Sequence, residues 1–402
     1  MIITTNQLKR YLNIPQDIEV ITNQNICETA SYKPSSTATN IVVGLVETCV
    51  PHPNSDHLSI TTVNVGKKEI LQIVCGAPNV AAGQYVIVAK VGAILPGGFE
   101  IKESAIRGIE SSGMICSLQE LGFEITPEKY QNGIFYFPKP KPLGQDGLVA
   151  LNYDDHILEL DLTPNRSDLL SVIGYAYDLA AMTNQLIQLP KYEIKEVFIK
   201  NPLVVDITTN GCYEYNARVI EVEIEESPWW MQAELLKRGI KPINNVVDIS
   251  NIVLFEYGTP LHMFDADTFG SNQVLIRDAY KDEEIITLDG EKHRLEQGDV
   301  VITNGQKPVA LGGVMGLENS MITNDTKKVI LEAANFDPIR IRKTSSRLNI
   351  STDSSIRFER GVDSNTVRKA LDYAIYLLML YARGEVYYGV ARKVNKEFMP
   401  KV

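Results

Sequence analysis

Apolar and polar positions change rhythm several times along this chain. Between residues 40 and 91 the segments Asn40–Val50, Leu58–Val65, Ile70–Cys75 and Tyr85–Val91 are rich in β-branched residues. Turn sequences separate them: Gly66-Lys67, Gly76-Ala77-Pro78-Asn79 and Leu95-Pro96-Gly97-Gly98. Short strands with such punctuation predict a small barrel or sandwich. The module runs out at Pro138-Lys139-Pro140-Lys141-Pro142. On either side the pattern is helical. A short helix is expected from Asn6 to Tyr11, followed by polar loop, and a longer one over 167–182, with Ser167 and Asp168 able to cap it. Pro190 and Pro202 bracket a linker, and Arg218–Glu225 then alternates as a half-exposed strand does. Ser227-Pro228 reads as a cap with a first-turn proline, Asp289-Gly290 and Asn304-Gly305 as hairpin turns, and 364–381 as a helix.

Composition narrows the classes. The chain has 402 residues, 39 Lys+Arg against 50 Asp+Glu, and a net charge of −11. That balance excludes a broad basic surface, so any RNA contact must be local. No apolar run approaches the ~18 residues of a membrane span, which predicts no membrane association. The start lacks a basic segment followed by an apolar core, so no secretory leader is expected. The five cysteines are scattered and form no Cys-x-x-Cys pair, which fits reduced thiols in a cytoplasmic protein and predicts no metal site. No Gly-x-x-x-x-Gly-Lys-Ser/Thr loop is present.

Several stretches are more specific than packing patterns. PHPNSDHL (51–58), ILQIVCGAPNVAAGQ (70–84), LPGGFEI (95–101) and SGMICS (112–117) resemble the tRNA-binding oligonucleotide-binding barrel of several tRNA synthetases. With them come TPNRSDLLSVIGYAYDLA (163–180), NNVVDISN (244–251), PLHMFD (260–265), LGGVMG (311–316), LEAANFDP (331–338) and TDSSIRFERGVD (352–363). In this order the set resembles the N-terminal half of the bacterial phenylalanyl-tRNA synthetase β subunit.

The resemblance implies a multidomain α+β fold. The barrel (40–151) would be inserted in a small α/β N-terminal domain made of 1–39 and 152–199; α+β editing domains (200–394) and a tail (395–402) would follow. It also implies partners: tRNA(Phe), and the α subunit of an α2β2 complex that uses ATP and Mg2+, with no cofactor in this chain. The activity implied for this portion is tRNA binding and hydrolysis of mischarged Tyr-tRNA(Phe), because a pocket built for phenylalanine cannot strongly exclude an isostere that adds a hydroxyl. Two alternatives stand beside it: a non-catalytic tRNA-binding scaffold, and a free-standing trans-editing hydrolase.

The same resemblance points to site residues. Glu332 would accept the phenol hydrogen bond of a tyrosyl group, and its apolar neighbours Ile330, Leu331, Ala333 and Ala334 speak independently for burial. His262 would sit by the scissile ester. Ser250, Asn251, Pro260, Gly312, Gly313, Gly316, Thr352 and Ser354 would line the pocket. Ser354 and Gly312 stand where the family often has alanine, and glycine at 312 would widen the pocket. For tRNA contact the barrel offers Ser111 and Met114, but over residues 40–122 it carries five Lys/Arg against seven Asp/Glu. The basic stretch with Arg340, Arg342, Lys343 and Arg347 is the preferred phosphate-contact region, while Arg357 and Arg360 are candidates for internal ion pairs.

Overall fold

In the computed structural model, residues 1–395 are described. Asn395 opens the expected tail, whose remainder lies outside the described residues. Strand Ile2–Thr4 pairs antiparallel with His156–Asp161, which pairs on its other edge with Glu28–Pro34. Segments before and after the barrel therefore share one three-stranded sheet. The polar loop expected after residue 11 is instead helix Ile18–Asn25 and strand Glu28–Pro34. The strand has no clean alternation of its own and is held by a partner more than a hundred residues away, which a local pattern does not reveal. Helix Val172–Met182 is capped by Ser171, whose Oγ accepts from the Gly174 N–H at 2.9 Å, rather than by Ser167 or Asp168, which lie in a preceding 3-10 turn.

The barrel strands fall within a residue or two of the expected ranges: Ile41–Pro51, Ser59–Asn64, Ile70–Cys75 and Tyr85–Ala89. Met114–Ile115 and Tyr136–Phe137 both pair with Tyr85–Ala89. The sheet curls until the Ser112 N–H donates to the Gln72 carbonyl at 2.8 Å, nearly closing it around Val46, Val63, Ile73, Val86 and Val88.

Beyond residue 195 two sheets stack. The first runs Glu196–Lys200, Glu385–Tyr388, Cys212–Glu221, Lys328–Phe336, Leu261–Asp265. The second runs Val204–Ile207, Gln273–Asp278, Val300–Thr303, Pro308–Leu311, Met315–Gly316. The hairpin at Asn304-Gly305 joins two of its strands. The Asp289-Gly290 turn joins the small pair Glu284–Ile286 and Lys292–Arg294. Helix Trp229–Leu236 begins after Pro228 without a side-chain cap; the Ser227 hydroxyl instead donates to the buried Asp248 carboxylate. Strand Lys328–Phe336 lies between layers and is buried on both faces. Val329, Leu331 and Ala333 face the helices Asn245–Tyr257 and Ser364–Tyr381, while Ile330, Ala334 and Phe336 face the second sheet. Glu332 takes the place in the second series where that alternation calls for an apolar residue. No helix among the described residues is long and apolar enough to cross a membrane.

Candidate functional site

Glu332 and His262 are direct cross-strand partners in the first sheet, and both side chains reach a cavity of about 300 Å³. Besides Glu332, the site residues expected from the sequence reach its wall from four places. Helix Asn245–Tyr257 gives Ser250 and Asn251, the strand at 261–265 and its approach give Pro260 and His262, the turn after Pro308–Leu311 and the strand Met315–Gly316 that it leads into give Gly313 and Gly316, and the start of helix Asp353–Arg360 gives Thr352 and Ser354. Each of these contributors is fixed locally. Asn244 caps the first helix by accepting from Val246 and Val247 N–H at 3.1 and 2.9 Å. Thr352 caps the last with a reciprocal capping box to Ser355, and its hydroxyl donates to the Val314 carbonyl at 2.9 Å. The Ser354 hydroxyl donates to the Gly313 carbonyl at 3.3 Å, so it ties helix to loop rather than standing free in the cavity. The Ser250 hydroxyl is turned back to the Val247 carbonyl at 2.7 Å. The Asn251 amide makes no hydrogen bond to another described residue and is available to a ligand.

Gly316 is required by a close approach. A Cβ there would lie 2.4 Å from His262 Cε1 and 2.7 Å from Nε2. Gly313 adopts φ +70°, and its small volume admits Ile341, Phe336 and Phe358 beneath the loop. Gly312 is absent from the cavity wall. Its missing Cβ would point at Val300 and Phe336 in the core, so glycine here does not widen the pocket as the sequence suggested.

Electrostatics set the two central groups apart. Burial raises Glu332 to about 7, with a hydrogen bond from the Tyr215 hydroxyl to Oε2 pulling the other way. Burial lowers His262 to about 4, leaving the imidazole neutral near pH 7, stacked edge-on against Phe264. A neutral imidazole beside an acceptor-rich carboxylate can take a proton from water or an alcohol without first losing one.

Along this chain the relatives are consistent. The Phenylalanine–tRNA ligase beta subunit of Staphylococcus epidermidis is 47% identical over 96% of this chain and 50% of its own length. That of Staphylococcus aureus is equally similar over the same shares. The chain belongs to the phenylalanine–tRNA ligase beta subunit family. It spans about half the length of these beta subunits. Two family models match: a tRNA binding domain over residues 41–146 and a B3/4 domain over residues 211–383, which contain the cavity. Among solved structures, an N-terminal fragment of the phenylalanyl-tRNA synthetase beta subunit from Pyrococcus horikoshii is 17% identical. It covers 58% of this chain and 63% of that one at a TM-score of 0.33, too slight a likeness to carry an argument.

The beta-subunit residues expected to meet RNA are less uniform than those of the cavity. Ser111 is buried, and its hydroxyl accepts from the Val74 N–H at 3.1 Å and donates to the Gly113 carbonyl at 3.3 Å. Met114 is partly exposed on the same cleft of the barrel. In the basic stretch, Arg340 is paired with Asp278 at 2.6 Å and Arg347 with Asp299 and Glu296. Arg342 and Lys343 are exposed and in no ion pair among the described residues. All four line a separate groove that shares no residue with the cavity. Arg357 is buried and bonded to Asp353 at 3.0 Å, whereas Arg360 forms no ion pair among the described residues. Sequence reasoning missed Tyr215: a tyrosine in an apolar strand reads as packing.

Proposed function

We propose that this chain is the tRNA-binding and ester-hydrolysing portion of a phenylalanine–tRNA ligase beta subunit, and that the cavity deacylates tRNA(Phe) mischarged with tyrosine. The observation that carries the reading is a buried carboxylate, Glu332, with one oxygen engaged by Tyr215 and the other given no donor by any described residue, directly across from a neutral histidine. A phenol seated there donates to the free oxygen. Phenylalanine leaves it unpaired, at a cost of about 1–3 kcal/mol. His262 holds the attacking water or a ribose hydroxyl at the ester. Water adds to the carbonyl carbon, the bond to the ribose oxygen breaks, and free tyrosine and the tRNA hydroxyl result. The Asn251 amide is placed to hold the amino acid or ribose.

In the complete enzyme we assign ATP and Mg2+ to the α subunit, in an α2β2 cytoplasmic assembly. The described residues of this chain contain no cluster of three His, Cys, Asp or Glu side chains suited to a metal ion. Among the candidate tRNA contacts, Arg342 and Lys343 are best supported because no described residue pairs with them, ahead of Arg340, Arg347, Ser111 and Met114. Similarity to beta subunits along nearly the whole chain favours this reading over a scaffold or a free-standing hydrolase.

The test is deacylation of Tyr-tRNA(Phe) and Phe-tRNA(Phe). Glu332→Ala is expected to cut the preference for the tyrosyl ester by tenfold or more while leaving measurable hydrolysis of both. His262→Ala is expected to slow both substrates by about 10²-fold with the preference kept. Equal loss on both esters for Glu332→Ala, with preference intact, would remove Glu332 from tyrosine recognition.

A further inference from the structure

Tyr215 is fully buried on strand Cys212–Glu221 and is not part of the cavity wall. It pairs in register with Ala334, which puts it diagonally beside Glu332 on the face toward the second sheet. The one hydrogen bond its hydroxyl makes among the described residues goes to Glu332 Oε2. A phenylalanine would fill the same space, so the hydroxyl is the part of this residue that packing does not explain. We propose that Tyr215 is a specificity-positioning residue, which fixes Glu332 through Oε2 so that Oε1 alone is offered to the phenol of a tyrosyl ester. The proposal rests on the reading of the cavity given above, in which Tyr215 only occupies one oxygen of Glu332, and gives it a role of its own.

Among the described residues three titratable groups face Glu332: Tyr215 and Cys212 from the neighbouring strand, and His262 from the strand on the other side. None brings positive charge near neutral pH. Burial pushes the Cys212 thiol and the Tyr215 phenol well up, so both stay protonated, and burial keeps His262 neutral. The Cys212 thiol is turned toward the Glu214 carbonyl at 3.6 Å. Among the described residues Tyr215 is therefore the only donor opposing the burial that favours a protonated Glu332. Without it the carboxyl stays neutral at pH 7. A neutral acid makes a weaker hydrogen bond to a phenol than an ionised one does. It also loses less when phenylalanine leaves it unpaired. Both effects erode selectivity without touching the reacting carbon.

Two measurements on the 402-residue chain test this. The midpoint of Glu332 ionisation is followed by NMR of the carbon-13-labelled carboxyl. Relative binding of L-tyrosinamide and L-phenylalaninamide, which lack the scissile ester, is measured from pH 6 to 9. Tyr215→Phe is expected to raise the midpoint by roughly one pH unit and to lower the tyrosinamide preference at pH 7 about fivefold, with recovery near pH 9. Incorporation of 3-fluorotyrosine in place of Tyr215 keeps the packing and strengthens the donor, and is expected to move the midpoint down. Midpoints unchanged in both variants, or a preference lost equally at all pH values, would overturn the role of Tyr215. If the unaltered chain binds neither amide, the tyrosyl-site reading itself falls and takes the specificity role with it. The NMR midpoint separates that case from a failure of the Tyr215–Glu332 link.

Discussion

At the scale of single residues, the cavity depends on one close approach that has no slack. Gly316 has an ordinary backbone conformation, so its smallness serves the His262 ring and not a turn. Gly316→Ala would place a methyl group inside the van der Waals radius of the imidazole. The ring must then rotate away from the position opposite Glu332, or the loop must lift. The expected outcome is at least a tenfold loss of Tyr-tRNA(Phe) deacylation with a stability loss of about 1–3 kcal/mol, read by kinetics and denaturant titration. Glu332 is conspicuous in the sequence because four apolar neighbours surround a carboxylate. Its engagement by Tyr215 is not, because the hydroxyl's partner lies more than a hundred positions away and strand patterns carry no information on diagonal pairs.

Among the elements, the two basic positions of helix Pro338–Leu348 that face solvent behave differently from their neighbours. Ile341 points inward beneath the Gly313 loop, while Arg340 and Arg347 are drawn to Asp278 and Asp299 on the second sheet and the turn beside it. Arg342 and Lys343 are left in solvent. Replacing both by Ala is expected to weaken tRNA binding severalfold and to reduce the slope of log affinity against log salt by up to about two, one for each phosphate no longer neutralised. Binding measured at several salt concentrations checks this; an unchanged slope would move the phosphate-binding surface elsewhere. The barrel strands and their turns could be read from β-branched runs and glycine placement because those signals are local. Helix Ile18–Asn25 and strands Glu28–Pro34 and Glu196–Lys200 could not, since each depends on a partner distant in the chain. The cavity gathers Ser250, Asn251, Pro260, His262, Gly313, Gly316, Glu332, Thr352 and Ser354, all from stretches singled out by family resemblance, since spacing alone would not have linked five separate segments.

For the molecule as a whole, the buried ionisable groups give stability a definite dependence on pH. Burial raises Asp248 to about 6 and Glu256 to about 7, the latter despite Arg10, and Glu332 also lies at about 7. Each of these binds a proton more tightly folded than unfolded, so each loses stability as pH rises from the unfolded value near 4 through its folded value. His262, lowered to about 4, works in the opposite sense, losing stability as pH falls from about 6.5 toward 4. Burial would raise Glu234 too, but Lys237 and Arg238 outweigh it and hold it at about 2, so its contribution is present above the unfolded value and vanishes in acid. Three carboxyls against one histidine make the folded state the better proton binder between pH 5 and 7. Melting temperature is therefore expected to be higher at pH 5.5 than at pH 7.5, and Glu332→Gln should flatten part of that difference.

The sheet that joins Ile2–Thr4 and Glu28–Pro34 to His156–Asp161 also fixes an order of events. The Ser35 N–H donates to the Asp155 carbonyl at 3.0 Å, so the chain leaves for the barrel and returns from it at one point. On a ribosome, the first 39 residues emerge long before their middle strand exists, with Ile3, Leu8 and Ile18 uncovered meanwhile. The barrel, whose packing is mostly internal and which Trp229 and Leu236 join later, can close during that interval. Its closure shortens the effective loop between residues 35 and 155 from a flexible span of over a hundred residues to a folded body with adjacent ends. An insert that closes early thus acts as the clasp that brings an otherwise slow, long-range strand pairing within reach.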